Sequence, residues 1–453
     1  MTIVRNRAAL TDHGNREARE ALLDVATAAL ESIHPRRTVP AAVNRDGDRL
    51  RVDDRTVDLG AYDDVYVVGG GKGAAAVAAE LHAVLGDRIT DGIVAAKAGE
   101  EGADLGPVEV VGAGHPLPDE TSLSAGRRAL EIADAAGPDD LVFVPVTGGA
   151  SATLVAPAGD LTRADLASTT DTLLRAGLRI DEVNAVRKHC SAIKGGRLAE
   201  RIAPATAVTL VVVDEVAGEP WGPTVGDDTT FADALDVLAR HGLGDAVPPA
   251  VVCHLRRGRD GAAAVTETPT ATDGHVVVLA DPADAAEAAR DRAAALGYEP
   301  LILSTTVEGE SREVATCLTA VATEVATYGR PAAPPCVLVS GGETTVHVDA
   351  DAGEGGPNQE FALRAAVELA AETSERSVTT LAIGTDGTDG PTDVAGGLVD
   401  ATTVLRMDER GIDARDHLRR HDTTPALRAV DDAVITGPTG TNVMDLRLTL
   451  VED

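Results

Sequence analysis

The chain has 453 residues, enough for two or three domains with their own cores. Asp and Glu number 73 against 40 Lys and Arg, a formal charge of −33, which excludes nucleic acid and anionic membrane as partners. Hydrophobic residues at 44% in periodic segments exclude a disordered acidic tail, so the chain reads as a folded protein adapted to high salt.

From the N-terminus, residues 15–33 carry Ala18, Leu22, Val25, Ala29, Leu30 and Ile33 on one helical face, and Pro35 closes it. An Asp-Gly turn at Asp46-Gly47 joins two short strands. Val65–Val68 is an apolar run that opens into Gly69-Gly70-Gly71-Lys72-Gly73, followed by an Ala-rich helix to about Leu85. A strand is predicted over 93–96, a helix over 121–136, a strand over 141–146 that breaks at Thr147-Gly148-Gly149-Ala150-Ser151, and a helix over 161–176 capped by Thr162. Next come a strand over 208–213 and a helix over 229–241, stopped by Gly242.

A polar, Arg/Thr/Gly-rich stretch over 255–274 places a domain boundary near Ala250, giving domains 1–250 and 251–453. The second domain is expected to hold strands over 276–279, 301–303 and 337–339, a turn at Gly341-Gly342, and a strand over 344–348. Helices follow over 283–296, 310–328 and 358–371. A buried strand over 378–383 leads into Gly384-Thr385-Asp386-Gly387-Thr388-Asp389-Gly390-Pro391-Thr392-Asp393, and a last strand lies near 446–450. Alternating strands and helices imply an α/β fold with mainly parallel or mixed sheets sandwiched by helices.

The chemistry concentrates in loops after strands, where open α/β sheets bind ligands. The acid loop Gly384–Asp393 offers Asp386, Asp389 and Asp393 as hard oxygen donors suited to Mg²⁺, with glycines that let backbone approach a phosphate. It lacks the later Glu of an EF-hand, since Gly397 stands there. The turn Gly69–Gly73 is an anion cradle through Gly70 and Gly71, and Lys72 adds a point charge for a phosphoryl group. A plain tight turn is the alternative. Lysine is nearly absent elsewhere: the set is Lys72, Lys97, Lys188 and Lys194. The turn Gly148-Gly149-Ala150-Ser151 offers small residues and a hydroxyl, without the Gly-x-Ser-x-Gly elbow of a hydrolase. Asn184, Arg187, Lys188 and Ser191 share one helical face, and Lys194 precedes Gly195-Gly196. This basic cluster suits a carboxylate or phosphates, with a salt-bridged helix face as the alternative. His115, held by flanking prolines, is a candidate substrate contact or a loop histidine. Cys190, Cys253, Cys317 and Cys336 lie far apart without a C-x-x-C pair and read as free thiols of a cytoplasmic protein. No stretch reaches about 18 continuous apolar residues, and no signal peptide is expected.

In this order the motifs resemble one family. Val67–Ala74, Gly114–Pro116, Asn184–Leu198, Gly222–Thr224, Gly341–Thr344, Asn358–Leu363, Gly384–Asp393 and Thr436–Asn442 are similar to the ATP-dependent glycerate 2-kinases of the MOFRL type, over about residues 18–446. The resemblance implies two α/β domains with an active-site cleft between them, D-glycerate and ATP as substrates, Mg²⁺, and 2-phosphoglycerate as the usual product. Lys72, Asp386 and Lys194 are then expected in catalysis, and Arg187, Lys188, Ser151 and His115 at the substrate. Gly70, Gly71, Gly148, Gly149, Asn184, Gly195, Thr385 and Asp389 are expected at the nucleotide, and Asp386 and Asp393 at the metal. Nucleic acid and membrane are excluded as partners, and a homodimer is kept open. The family's arginine before Asn-Gln-Glu is Pro357 here, so either another cation, Arg187 or Arg364, takes its role or the role is not essential. The segment from Asp214 to Gly226 reads as shortened. Two other readings stand: an NAD(P)H-dependent hydroxypyruvate reductase, weakened because the strand after the first glycine turn ends at Lys97 rather than an acid, and a non-catalytic nucleotide sensor.

Overall fold

Leu-Val-Phe-Val-Pro-Val at residues 141–146 is apolar without alternation, and all six residues are buried. A strand with no solvent-facing side needs cover on both faces, which a parallel sheet flanked by helices supplies. The computed structural model describes residues 3–100, 102, 104–215, 221–262, 269, 274–348, 352–371 and 376–452. It forms two compact units. One comprises Thr38–Val213 and Pro220–Leu279; the other comprises Met1–Arg37, Asp214–Glu219 and Ala280–Asp453.

The first unit opens with an antiparallel three-stranded sheet: β1 (Val43–Asp46), β2 (Arg49–Val52) and β3 (Arg55–Asp58). Its main sheet contains β4 (Val65–Gly70), β5 (Asp91–Lys97), β6 (Val108–Ala113), β7 (Leu141–Val146), β8 (Thr206–Val212) and β9 (His275–Ala280), in the order β6-β5-β4-β7-β8-β9. The pairs β4–β5, β5–β6, β4–β7 and β7–β8 are all parallel. The sheet is doubly wound, and its winding reverses at β4 and β7. The helices expected over 121–136 and 161–176 form, the second with its expected cap Thr162. Asp119 starts Glu120–Ala135 and Thr162 starts Arg163–Arg175, each in a capping box.

The second unit has β10 (Glu299–Glu310), β11 (Cys336–Thr345), β12 (Val378–Gly384), β13 (Gly396–Asp400), β14 (Ala433–Val434) and β15 (Asp445–Val451), ordered β10-β11-β15-β12-β13-β14. Here β10–β11 is parallel and the other pairs are antiparallel. The final strand thus enters the sheet between β11 and β12. Helix Pro357–Ala371 lies on it, with Phe361, Leu363 and Ala366 buried.

Three expectations change. The turn expected at Gly341-Gly342 is absent, because β11 runs unbroken through it and pairs with β15. The division near Ala250 falls inside helix Pro249–Arg259, whose Val251 and Leu255 pack with Phe231 and Val186 of the first unit. The strand expected to open the second domain is instead β9, the edge of the first sheet. Residues 1–37 join the second unit because Arg19 on helix Arg16–Ser32 is wholly buried between Asp400 and Asp432. Pro35 ends that helix but starts another, Pro35–Ala42. Part of the shortened segment, residues 216–220, lies outside the described residues.

Candidate active site

In the doubly wound unit the glycine turns after β4 and β7 lie side by side, at the reversal of winding where such sheets open a crevice. Thr147 N donates to Gly70 O at 3.2 Å and Lys72 N to Gly148 O at 2.6 Å. A Cβ on Gly71 (φ +121°) would stand 2.2 Å from Thr147 O, so this approach of the two turns requires glycine. Gly73 then caps the twelve-residue helix Ala74–Leu85, and its N–H donates to Glu100 Oε2 at 2.9 Å. A carboxylate of the chain therefore sits at this helix N-terminus, where positive potential favours it.

His115, from the loop after β6, reaches the same place. A Cβ on Gly149 would lie 2.8 Å from His115 Cδ2, 3.1 Å from its Nε2 and 3.4 Å from Lys72 Cγ. Lys72, His115 and Gly149 are thus neighbours, as are Gly70, Gly71 and Gly148 along the paired turns.

The basic cluster is arranged around Ser151 and Lys194. Lys194 Nζ donates to Ser151 O at 2.9 Å, so Ser151 contributes its carbonyl there. Burial of the ammonium end, with the charge of Arg187 beside it, brings Lys194 down to about 7, although the residue as a whole keeps some exposure. Arg187 Nη2 donates to Asn184 Oδ1 at 2.6 Å on helix Ile180–His189. Lys188 is ion-paired with buried Asp227 at 3.0 Å. Burial alone would raise the Asp227 carboxyl; bonds from Thr229 and the charge of Lys188 outweigh it and hold the acid below its usual range. Gly195 and Gly196, with φ of +62° and +84°, form the turn into helix Arg197–Ile202. Arg197 Nη1 ties the cluster together, donating to Lys188 O and Ser191 O at 2.8 and 3.1 Å.

In the other unit the acid loop follows β12, and its three carboxylates have three different environments. Asp386 Oδ1 accepts from Thr388 N at 2.9 Å and Thr388 Oγ1 at 3.0 Å, on a partly exposed residue. Asp389 is buried and accepts from Asn358 N, Asn358 Nδ2, Gln359 N and Gln359 Nε2 at 2.8–3.2 Å. It caps helix Pro357–Ala371, and desolvation raises its carboxyl to about 7 despite these donors. Asp393 is exposed and ion-paired with Arg428. Thr385 is buried, its hydroxyl spent on Met444 O at 2.6 Å and Val443 N at 2.9 Å.

Asp386, Asp389 and Asp393 do not bring their carboxylates together as one group of three in this structure. Among the described residues, the one group of three His, Cys, Asp or Glu with ligand atoms mutually within 4.8 Å is Asp53, Asp54 and His275. The acid beside Asp386 is instead Asp445, at the start of β15. Asp445 accepts from Asn358 Nδ2 at 2.6 Å and pairs with Arg447 at 2.6 Å. Desolvation raises its carboxyl, Arg447 lowers it, and the charge of Asp386 adds to the rise. Sequence reading missed Asp445, Glu100 and Asp227, which lie outside the motifs it singled out.

The loop Thr436–Asn442 packs on the acid loop. Thr439 N donates to Asp386 O at 3.2 Å and Thr439 Oγ1 to Thr385 O at 2.6 Å. Asn442 Nδ2 donates to Asp214 Oδ2 at 3.2 Å. Pro357 takes the first position of its helix, where its fixed φ suits the turn. Arg364, one of the two cations expected to replace the family arginine, is held by Thr316 at 3.1 Å and by Glu368. A cleft of about 480 Å³ lined by Val367, Ala401 and Leu405 holds none of the motif residues.

Comparison with known proteins adds the following. Residues 21–256 match the model for a domain of unknown function, DUF4147, and residues 336–445 match the MOFRL family. The chain is 38% identical to a glycerate 2-kinase of Pyrococcus horikoshii, over 96% of this chain and 98% of that one. It is 41% identical, over 85% of its length and 98% of the relative's, to an Agrobacterium vitis protein provisionally named a hydroxypyruvate reductase. The crystal structure of a glycerate kinase from Thermotoga maritima superimposes with a TM-score of 0.80 at 33% identity, covering 95% of this chain and 99% of that one.

Proposed function

The chain belongs to the DUF4147–MOFRL family of glycerate kinases, and from that premise we propose that it transfers the γ-phosphoryl of ATP to the 2-hydroxyl of D-glycerate. The observation that carries the reading is the match, along nearly the full length of both chains, to a glycerate 2-kinase.

Phosphoryl transfer asks the protein mainly for position and for charge to offset that of the transferring group. Lys72, at the meeting of the two glycine turns, supplies a cation where backbone permits close approach. Arg187 and Lys194 form a second positive centre. An anion arriving beside Lys194 raises its affinity for a proton, so binding charges this lysine fully. His115 borders Gly149 and lines the approach to Lys72.

Mg²⁺ commonly binds through one or two carboxylates plus substrate phosphates. Asp386 fits that requirement, being partly exposed and coupled to the Asp445 charge. Asp389 and Asp393 do not, the first enclosed by four N–H donors and the second engaged by Arg428. When bound, Mg²⁺ would neutralise phosphate charge; Asp386 would hold it. Among the described residues no helix is long and apolar enough to cross a membrane, and the thiols, Cys253 and Cys317 exposed among them, fit a reducing cytoplasm. The reductase alternative meets the obstacle that β5 ends at Lys97, where a nicotinamide dinucleotide calls for an acid.

The test is ADP release with D-glycerate, with phosphorus NMR of the product. 2-Phosphoglycerate is expected. Oxidation of NADH or NADPH by hydroxypyruvate without phosphorylation would overturn the proposal. Lys72→Ala is expected to lower kcat by about 10²–10³ with the fold intact, and near-normal turnover would remove Lys72 from the mechanism.

A further inference from the structure

A residue outside every motif above also reaches the loop that packs on the acid loop. The segment before helix Arg7–Leu10 is pinned at the end of β14. Arg5 N donates to Ile435 O at 2.7 Å, Asn6 Nδ2 donates to Ala433 O at 2.7 Å, and Asn6 Oδ1 accepts from Ile435 N at 3.0 Å. These bonds set the Arg5 guanidinium against Gly437. A Cβ at position 437 would lie 2.2 Å from Arg5 Nη2 and 2.3 Å from its Cζ, so the guanidinium lies directly against this glycine.

Gly437 in turn abuts the acid loop. A Cβ on Gly387 would stand 2.0 Å from Gly437 O. Two residues on, Thr439 N holds the Asp386 carbonyl. One layer of backbone thus separates Arg5 from the acid loop, all within one unit of the fold.

The charge of Arg5 is the second observation. Among the described residues its side chain makes no hydrogen bond or ion pair, and the residue is exposed. The other arginines of this N-terminal stretch have carboxylates: Arg7 has Glu20 and Asp24, Arg16 has Asp12, and Arg19 has Asp400 and Asp432. In a chain with 73 acidic against 40 basic residues, a guanidinium held beside a glycine loop without an acid of its own is placed for an oxyanion from outside. The cleft of about 520 Å³ that Arg5 also borders has Asp12 and Glu20 in its wall, which repel an anion and rule that cleft out as its place.

We propose that Arg5 is a binding residue for an oxyanion of the reactants at the acid loop, either the polyphosphate of the nucleotide or the carboxylate of the acceptor. The proposal rests on the kinase reading above. Arginine recognises both groups by the same planar fork, so the experiment must separate them.

Initial rates of full-length Arg5→Ala and Arg5→Lys are measured against ATP and against D-glycerate. The expected result for Arg5→Ala is a KM raised about tenfold for one reactant, with kcat changed less than about threefold. Arg5→Lys keeps the charge without the fork and is expected to recover part of the loss. A change in the ATP KM identifies the polyphosphate, and a change in the glycerate KM identifies the carboxylate. Both variants are expected to melt with the parent, since the anchors are the Arg5 amide and Asn6. Unchanged KM values for both reactants in an active Arg5→Ala enzyme overturn the proposal and leave the kinase reading standing. A parent enzyme that does not phosphorylate glycerate brings down the kinase reading. Calorimetric titration of ATP and of D-glycerate into parent and Arg5→Ala then decides for Arg5 alone, equal Kd values for both overturning it. Should Arg5→Ala not fold, Arg5→Lys with unchanged KM values overturns the proposal equally.

Discussion

Lys194 stands where burial and a neighbouring guanidinium both disfavour its charge, and its proton is held with an affinity near pH 7. If the charged form serves phosphoryl transfer, kcat/KM falls as pH rises from about 7 to 9 in the parent enzyme. Lys194→Arg, which stays protonated, should flatten that limb even where its rate is lower. A pH–rate profile for both enzymes checks it, and an unchanged alkaline limb in the variant would assign the titration elsewhere. Asp386, Asp389 and Asp393 make the complementary point. They occupy one ten-residue loop, yet one carboxylate is half-open, one caps a buried helix and one pairs on the surface. Residue type made all three candidates; burial and donors distinguish them. Asp386→Asn is therefore expected to weaken the Mg²⁺ dependence of the rate, and Asp393→Asn to leave it unchanged.

At the scale of elements, helix Arg16–Ser32 is fastened to its unit through a charge network. Arg19 Nε donates to Asp400 Oδ2 at 2.7 Å and its Nη1 to Asp432 Oδ1 at 2.8 Å; Arg406 and His13 also contact Asp432. Desolvation works against the Asp400 charge, but Arg19 and Thr402 overcome it and bring the carboxyl down to about 2. The folded state therefore binds this proton more weakly than the unfolded chain. The stabilisation is complete above the unfolded value near 4 and is lost as pH falls through about 2. Asp400→Asn should flatten the acid limb of stability between about pH 4 and 2, measured by denaturant titration. Arg19→Met is expected to cost about 3–5 kcal/mol, because it leaves buried Asp400 without its cation and takes one of its cationic partners from buried Asp432. Most helices and strands here were legible from periodicity and caps, as the helix capped by Thr162 shows. The pairing of strands was not. The alternating segment Leu446–Leu450 reads the same whether it lies at an edge or at the centre, so its insertion between β11 and β12 could not be read from it.

For the whole molecule, 73 carboxylates stand against 40 basic side chains, a net charge of −33. Their mutual repulsion weakens as the Debye length shrinks from about 10 Å at 0.1 M salt to about 3 Å at 1 M. The melting temperature should therefore rise with KCl over that range, and a flat response would mean the surface charges are already neutralised locally. Composition and the loops after apolar runs determined by themselves that this is an α/β protein with glycine turns at its strand ends, because strand periodicity and glycine chemistry are local properties. The tertiary structure alone decided that β9 closes the first sheet, that residues 1–37 belong to the second unit, that Asp389 is a helix cap and that Asp445 is the acid beside Asp386. Each of those depends on which distant backbone covers a residue, and burial by distant chain is the quantity that local pattern does not contain.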